Sequence, residues 1–174
     1  MATVPNIRTW TNEDVTAAKM QEISDMLAFL KGNLGGICFV RATAQQNGLA
    51  NTTDVPIQFG AQDANSVDNM WTGGSHVTAK TAGWYLMSGL VAFQANANGA
   101  RFGKFKKNGV TLRAASVAAA AGGIEVFLDV GCMITYMNVN DYLELTVWQN
   151  AGPGAVGTSV NDGGSQFSVV RIAS

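Results

Sequence analysis

From residue 37 onward, apolar residues recur at alternate positions in short runs broken by Gly and Asn. A period of two sends successive side chains to opposite faces, which is the pattern of strands and not of helices. The runs cover 37–43, 55–59, 75–79, 83–94, 100–107, 110–113, 124–130, 133–137, 142–148 and 166–172. Asn108-Gly109 joins two of them and is a strong hairpin signal, because the tightest hairpin turn needs positive φ at both central residues. Pro56 suits only a sheet edge, since it has no N–H to give a ladder. The stretch Ala114 to Gly123, with its alanine run, breaks the alternation and reads as a loop. Eight or more short strands with such turns predict an all-β sandwich over 37–174.

Residues 1–36 have a different character. Residues 1–15 are irregular and contain Pro5 and Trp10. Thr16 is a fair N-cap, and a helix is expected over about 17–31. Met20, Ile23, Met26, Leu27 and Leu30 follow helical spacing, and Gly32 stops the pattern. A helix of ~15 residues is about 22 Å long. It is marginal alone in water, so its apolar stripe must pack on its own domain, a sister helix or a larger host surface.

Composition narrows the function. Charged residues make up 13% of the chain, about half of the ~25% usual for soluble domains. Such a surface suits subunit contact. A net charge of −1 argues against a generally basic nucleic-acid binder. No apolar run reaches the ~18 residues of a membrane span, and residues 1–10 lack the pattern of a secretory signal. Neither nucleic acid nor membrane is therefore expected as a partner.

Catalytic constellations are equally sparse. His76 is the only histidine and lies in a turn leading into a strand, so no triad is indicated. Two Cys and one His have no zinc-ligand spacing. Gly152-Pro-Gly-Ala-Val-Gly157 matches a dinucleotide fingerprint, but loop-like residues follow it where a helix should open. Glu125 and Asp129 share a strand face and read as solvated. Cys38 and Cys132 read as buried free thiols in apolar strands, with a single disulfide as the alternative. No catalytic residue, cofactor or metal is expected. Arg101, Lys104 and Lys106 belong to a basic cluster in which Lys104 and Lys106 share one strand face. They are candidates for an anion contact or, more in keeping with a charged strand face, a subunit contact.

Four pieces occur in the order of a known family: Thr81-Ala-Gly-Trp-Tyr85 before a long apolar strand, Lys107-Asn-Gly109 at a hairpin, Asn140-Asp-Tyr-Leu-Glu-Leu145, and Phe167-Ser-Val-Val-Arg-Ile172 as closing strand. The C-terminal ~135 residues thereby resemble the complement-one-q/tumour-necrosis-factor-like jelly roll. The resemblance implies a jelly-roll β-sandwich without catalytic residues, assembled as a homotrimer through apolar and aromatic faces. Tyr85, Phe93, Tyr136, Tyr142 and Trp148 are its candidate trimer-interface residues.

The N-terminal segment resembles the leader of tailed-bacteriophage structural proteins, on Arg8-Thr-Trp10, Val15-Thr-Ala-Ala18, Ile23-Ser-Asp25 and Leu27-Ala-Phe-Leu30. That implies an attachment arm over 1–36, docking through Trp10, Met20, Ile23, Leu27 and Leu30. The expectation is a virion surface protein made in the bacterial cytoplasm, with the major capsid or tail protein as partner. One short helix and no shaft repeat favour capsid decoration. A compact tail-tip or minor tail protein that binds a host-surface glycan or protein is the alternative. A bacterial ligand-binding module is the further one.

Overall fold

The computed structural model describes residues 19–25, 27, 36–119 and 123–173. Its strands are β1 (Ile37–Arg41), β2 (Val55–Pro56), β3 (Ala61–Gln62), β4 (His76–Thr78), β5 (Gly83–Phe93), β6 (Ala100–Lys107), β7 (Val110–Ala118), β8 (Val126–Met137), β9 (Tyr142–Gln149) and β10 (Gln166–Ala173). One sheet has the order β3-β1-β10-β5-β8, the other β2-β9-β6-β7. β4 also pairs with β9, so β2 and β4 lie end to end along one edge of it. The ladders are antiparallel. This is the expected all-β jelly-roll sandwich.

Inward residues of both sheets form one core. Phe167 of β10 stacks between Phe59 and Phe105, with ring centroids 6.1 and 5.7 Å away, and so links both sheets to the loop that carries Phe59. Two inward glycines set how closely the sheets approach. A Cβ on Gly89 would lie 2.8 Å from Phe105 Cε1, and one on Gly103 would lie 2.6 Å from Val130 Cγ2. A side chain at either position would push the layers apart.

Turn chemistry fixes the strand register. Asn108 and Gly109 have φ of 50° and 79°, as the β6–β7 hairpin requires. Asn108 also binds the next strand connection. Its Nδ2 donates to Asp141 at 2.7 Å, and its Oδ1 accepts from the Tyr142 N–H at 2.9 Å. Lys107 donates to the other Asp141 oxygen at 2.9 Å.

Two strand expectations need correction. Residues 114–118 are not loop but the second half of β7, where Ala100 faces Ala118 and Lys104 faces Ala114. Alanine carries no alternation signal, and here the ladder with β6 outweighs its weak strand preference. The runs 124–130 and 133–137 merge into one strand, β8, which begins only at Val126. Gly89 and Leu90 of β5 pair with Gly131 and Asp129, which leaves Val130 as an extra residue. The Asp129 carboxylate accepts the Gly131 N–H at 2.7 Å and holds this bulge.

Residues 19–25 and 27 are helical. Met20, Ile23 and Leu27 are 56%, 38% and 59% exposed. Trp10 and Leu30, the other expected docking residues, lie outside the described residues, as do the expected ends of the helix.

Candidate functional site

β5 is apolar on both of its faces. Its odd positions, Tyr85, Met87, Val91 and Phe93 among them, are buried in the core. Its even positions include Trp84 and Leu86, which remain exposed. A strand hydrophobic on both sides is built to be covered on both sides. Cross-strand pairing turns this second face into rows. Ile37 faces Val170, which faces Leu86, which faces Ile134. One row further along β5, Trp84 faces Tyr136, and their rings meet edge to face at 5.5 Å. On the other side, Phe39, Ser168, Ser88 and Cys132 make a more polar row.

The outer face of the first sheet therefore grades from aromatic through aliphatic to hydroxyl-bearing. Trp84 is 45% exposed and Ile134 52%. The bulge in β8 is essential to this surface. Before it the even residues Val126, Leu128 and Val130 point inward, and after it Cys132, Ile134 and Tyr136 point outward. An apolar surface of this kind on a β-sandwich is a candidate interaction face.

The outer face of the second sheet carries charged residues beside the aromatic pair Phe102 and Trp148. Lys104 and Lys106 share one face as expected, but one carboxylate takes both charges. Asp54 receives Lys104 at 2.5 Å and Lys106 at 2.7 Å. Burial raises the Asp54 carboxyl, but the hydrogen bonds and charges of the two lysines outweigh it and hold the group below its ordinary value. Arg101 does not join them. It is wholly buried, and its guanidinium donates to the carbonyls of Asn98, Ala100 and Asn96. The three residues thus form no common anion-holding surface. Arg101 shares the parity of Gly103 and Phe105, so it enters the sandwich and ties the 96–100 loop.

The candidate aromatic residues divide between the two sheets. Only Tyr136 lies on the apolar outer face. Tyr85 and Phe93 are core residues and no surface of the chain exposes them. The Tyr85 hydroxyl donates to the Thr81 carbonyl at 2.7 Å. Tyr142 is half-buried on the second sheet, stacked on His76 with centroids 4.1 Å apart. Trp148 is half-buried there too, edge to face with Phe102 at 4.9 Å. The residues missed in the sequence were Trp84, Leu86 and Ile134. Glycine parity was the available signal: Gly83 and Gly89 share the Tyr85 face, and a glycine in a strand marks the side where another element comes close.

Two further polar residues singled out in the sequence, His76 and Glu125, have structural partners. His76 Nε2 lies 2.9 Å from Glu144 Oε1. Glu125 accepts from Ser159 at 2.8 Å and Asn161 at 2.7 Å. Cys38 and Cys132 are both free, but only Cys38 is buried. The expected burial of Cys132 fails because the bulge turns it outward. Among the described residues no three His, Cys, Asp or Glu side chains cluster as a metal would require.

No family model matches the chain, and no curated protein matches it. Solved structures do. The globular domain of the zebrafish complement 1qA protein aligns over 79% of this chain and 97% of its own, with a TM-score of 0.54 and 16% identity. Murine APRIL, solved at pH 5.0, aligns over 78% of this chain and 97% of its own, with a TM-score of 0.57 and 10% identity. At pH 8.0 its values are a TM-score of 0.56 and 9% identity. The sandwich with the apolar outer face is thus the jelly roll that the complement 1qA globular domain and APRIL share.

Proposed function

We propose that this chain is a non-enzymatic structural protein of a tailed-bacteriophage particle, a homotrimeric knob on the capsid surface held by its N-terminal arm. The observation that carries the reading is the apolar outer face of the first sheet, with Trp84, Leu86, Ile134 and Tyr136 exposed on a single chain. Covering such side chains contributes about 1.5–3 kcal/mol each when burial is complete. Three copies closing around this face remove it from water. The jelly-roll likeness supports a trimer, and the phage-like motifs Arg8-Thr-Trp10 and Leu27-Ala-Phe-Leu30 support attachment by residues 1–36.

The experiment has two readings. Light scattering of the purified chain at micromolar concentration gives three times 18.2 kDa; a monomer mass overturns the trimer. Full-length protein rebinds capsids stripped of the native protein, and a chain lacking residues 1–35 stays folded but does not. Decoration by the truncated chain overturns the arm's role. Rebinding to isolated tails in place of capsids moves the knob to the tail tip.

A further inference from the structure

We infer that Arg41 of one chain pairs with Asp129 of the next, so that a ring of three such ion pairs closes the polar end of the apolar face. This rests on the trimeric reading above and names the contact that fixes how neighbouring copies line up.

Beyond the row of Phe39, Ser168, Ser88 and Cys132 lies one more, in which Arg41 faces Gln166, Gln166 faces Leu90 and Leu90 faces Asp129. Arg41 and Asp129 are both exposed. They are opposite charges at the two sides of one row. Three strand spacings of about 4.8 Å set them roughly 14 Å apart within a chain, too far to meet each other. Among the described residues neither has an ion pair. Asp129 gives one oxygen to the Gly131 N–H, which leaves the other for a further donor. Arg113 also approaches the bulge, but it is taken by the Val130 and Cys132 carbonyls. Asp63 lies near Arg41, but it accepts the Asn65 N–H and side-chain amide at 2.8 and 3.0 Å.

The surface around the two charges fits the same partner. Phe39 divides two open hollows at this end of the face. Arg41 lines one, of about 320 Å³. Asp129 lines the other, of about 360 Å³, with Ser88, Ser168, Gln166 and Cys132. The second hollow offers carboxylate, hydroxyl and amide oxygens and has no cation in its wall. That suits a planar guanidinium with its five donors. The order of the rows selects how copies turn. A cyclic contact joins unlike patches, here the β1 side of one copy and the β8 side of the next. With the rotation axis along the strands, each row stays at its own height. Aromatic then meets aromatic, and Arg41 arrives at Asp129. An axis across the strands would set the charged row against Trp84 and Tyr136 and bury both charges without a partner.

The test is a double-mutant cycle on the full chain. Sedimentation on dilution gives the half-dissociation concentration of the native chain, Arg41→Gln, Asp129→Asn and the double variant. Asp129→Asn removes the charge but keeps an oxygen for the Gly131 N–H, so the bulge survives. Each single change should raise the half-dissociation concentration about three- to tenfold, and the double no further than either alone. Arg41→Glu supplies the second measurement. Opposite native Asp129 it should weaken assembly more than Arg41→Gln does; combined with Asp129→Asn it should weaken it no more than Arg41→Gln does. Where the native mass is trimeric, three results overturn the pair and spare the knob. These are additive single effects, unchanged assembly, or an extra loss from Arg41→Glu that survives Asp129→Asn. A monomeric mass for the native chain overturns the trimeric reading and this one with it.

Discussion

Arg113 Nε on β7 donates to the Val130 carbonyl of β8 at 2.9 Å. β7 and β8 are the outer strands of different sheets, so this bond closes one side of the sandwich. Its acceptor is the extra residue of the bulge. Arg113 Nη1 reaches the Cys132 carbonyl beyond it at 3.4 Å, a weaker contact. Arg113→Met keeps the aliphatic stem and removes both donors. A loss of about 1–2 kcal/mol in urea unfolding is expected, with the m-value unchanged. A loss below about 0.3 kcal/mol contradicts this role for the side chain.

Leu86→Asp puts a charge in the middle of the apolar row. The folded variant should scatter light as one chain, while the strand signal of its circular dichroism is kept. Thiol reactivity gives an independent readout. On the trimeric reading proposed above, Cys132 lies at the contact and should react with a disulfide reagent about tenfold faster in Leu86→Asp than in the native chain. Cys38 is pushed up to about 11 by burial, which a hydrogen bond from Gln62 only partly offsets, so it should react in neither form until unfolding. Equal Cys132 rates in the two proteins would place the contact elsewhere.

Asp141 sets an acid limit on stability. The Asn108 amide, the Lys107 ammonium and the Asn138 N–H together lower its carboxyl from 3.8 to about 2. A depressed carboxyl contributes stability that is complete above its unfolded value and is lost as pH falls through its folded value. Solvent screens a carboxylate this open, so the contribution at neutral pH is discounted to about 1 kcal/mol. Asp141→Asn should therefore be less stable than the native chain at pH 7 by that order. The gap should close between about pH 4 and pH 2. A gap constant across that range would show that the charge has no part in it.

Arg101 separates packing from hydrogen bonding. Arg101→Ala leaves a cavity and takes the guanidinium donors from three loop carbonyls; a loss of about 3 kcal/mol is expected. For a chain of this size that is roughly 6–12 °C in melting temperature. Arg101→Met refills most of the volume and should recover part of the loss. Equal losses for the two variants would mean that packing contributes nothing at this position.

The legible parts of the fold were those where one residue type is demanded locally. Asn108-Gly109 announced its hairpin because only such residues take positive φ twice in succession. Lys107, Asn108 and Asp141, read as pieces of two separate motifs, prove to be one hydrogen-bonded cluster that joins the β6–β7 hairpin to the turn before β9. Less legible were elements defined by their neighbours. β3 has only two residues and exists because β1 offers it an edge. The second half of β7 is mostly alanine and serine, and β6 imposes its extended form. Alternation in β5 revealed two apolar faces without saying which one the second sheet would cover. Tyr85 and Phe93 are interface candidates by resemblance, and the structure buries both while leaving Trp84 and Leu86 exposed. Arg101, Lys104 and Lys106 form one cluster by closeness in sequence, but strand parity sends Arg101 to the opposite side.

A single codon separates two very different surfaces in this molecule. Cys132, Ile134 and Tyr136 face outward because β8 spends one extra residue at Val130. Without it, one half of the strand turns over. Either those three side chains enter the core, or Val126 and Leu128 come out to water. Composition, net charge and strand propensity would hardly change. A lineage carrying that deletion would keep nearly the same list of amino acids and yet expose a different outer face, so this side of the sandwich can be remade in one evolutionary step.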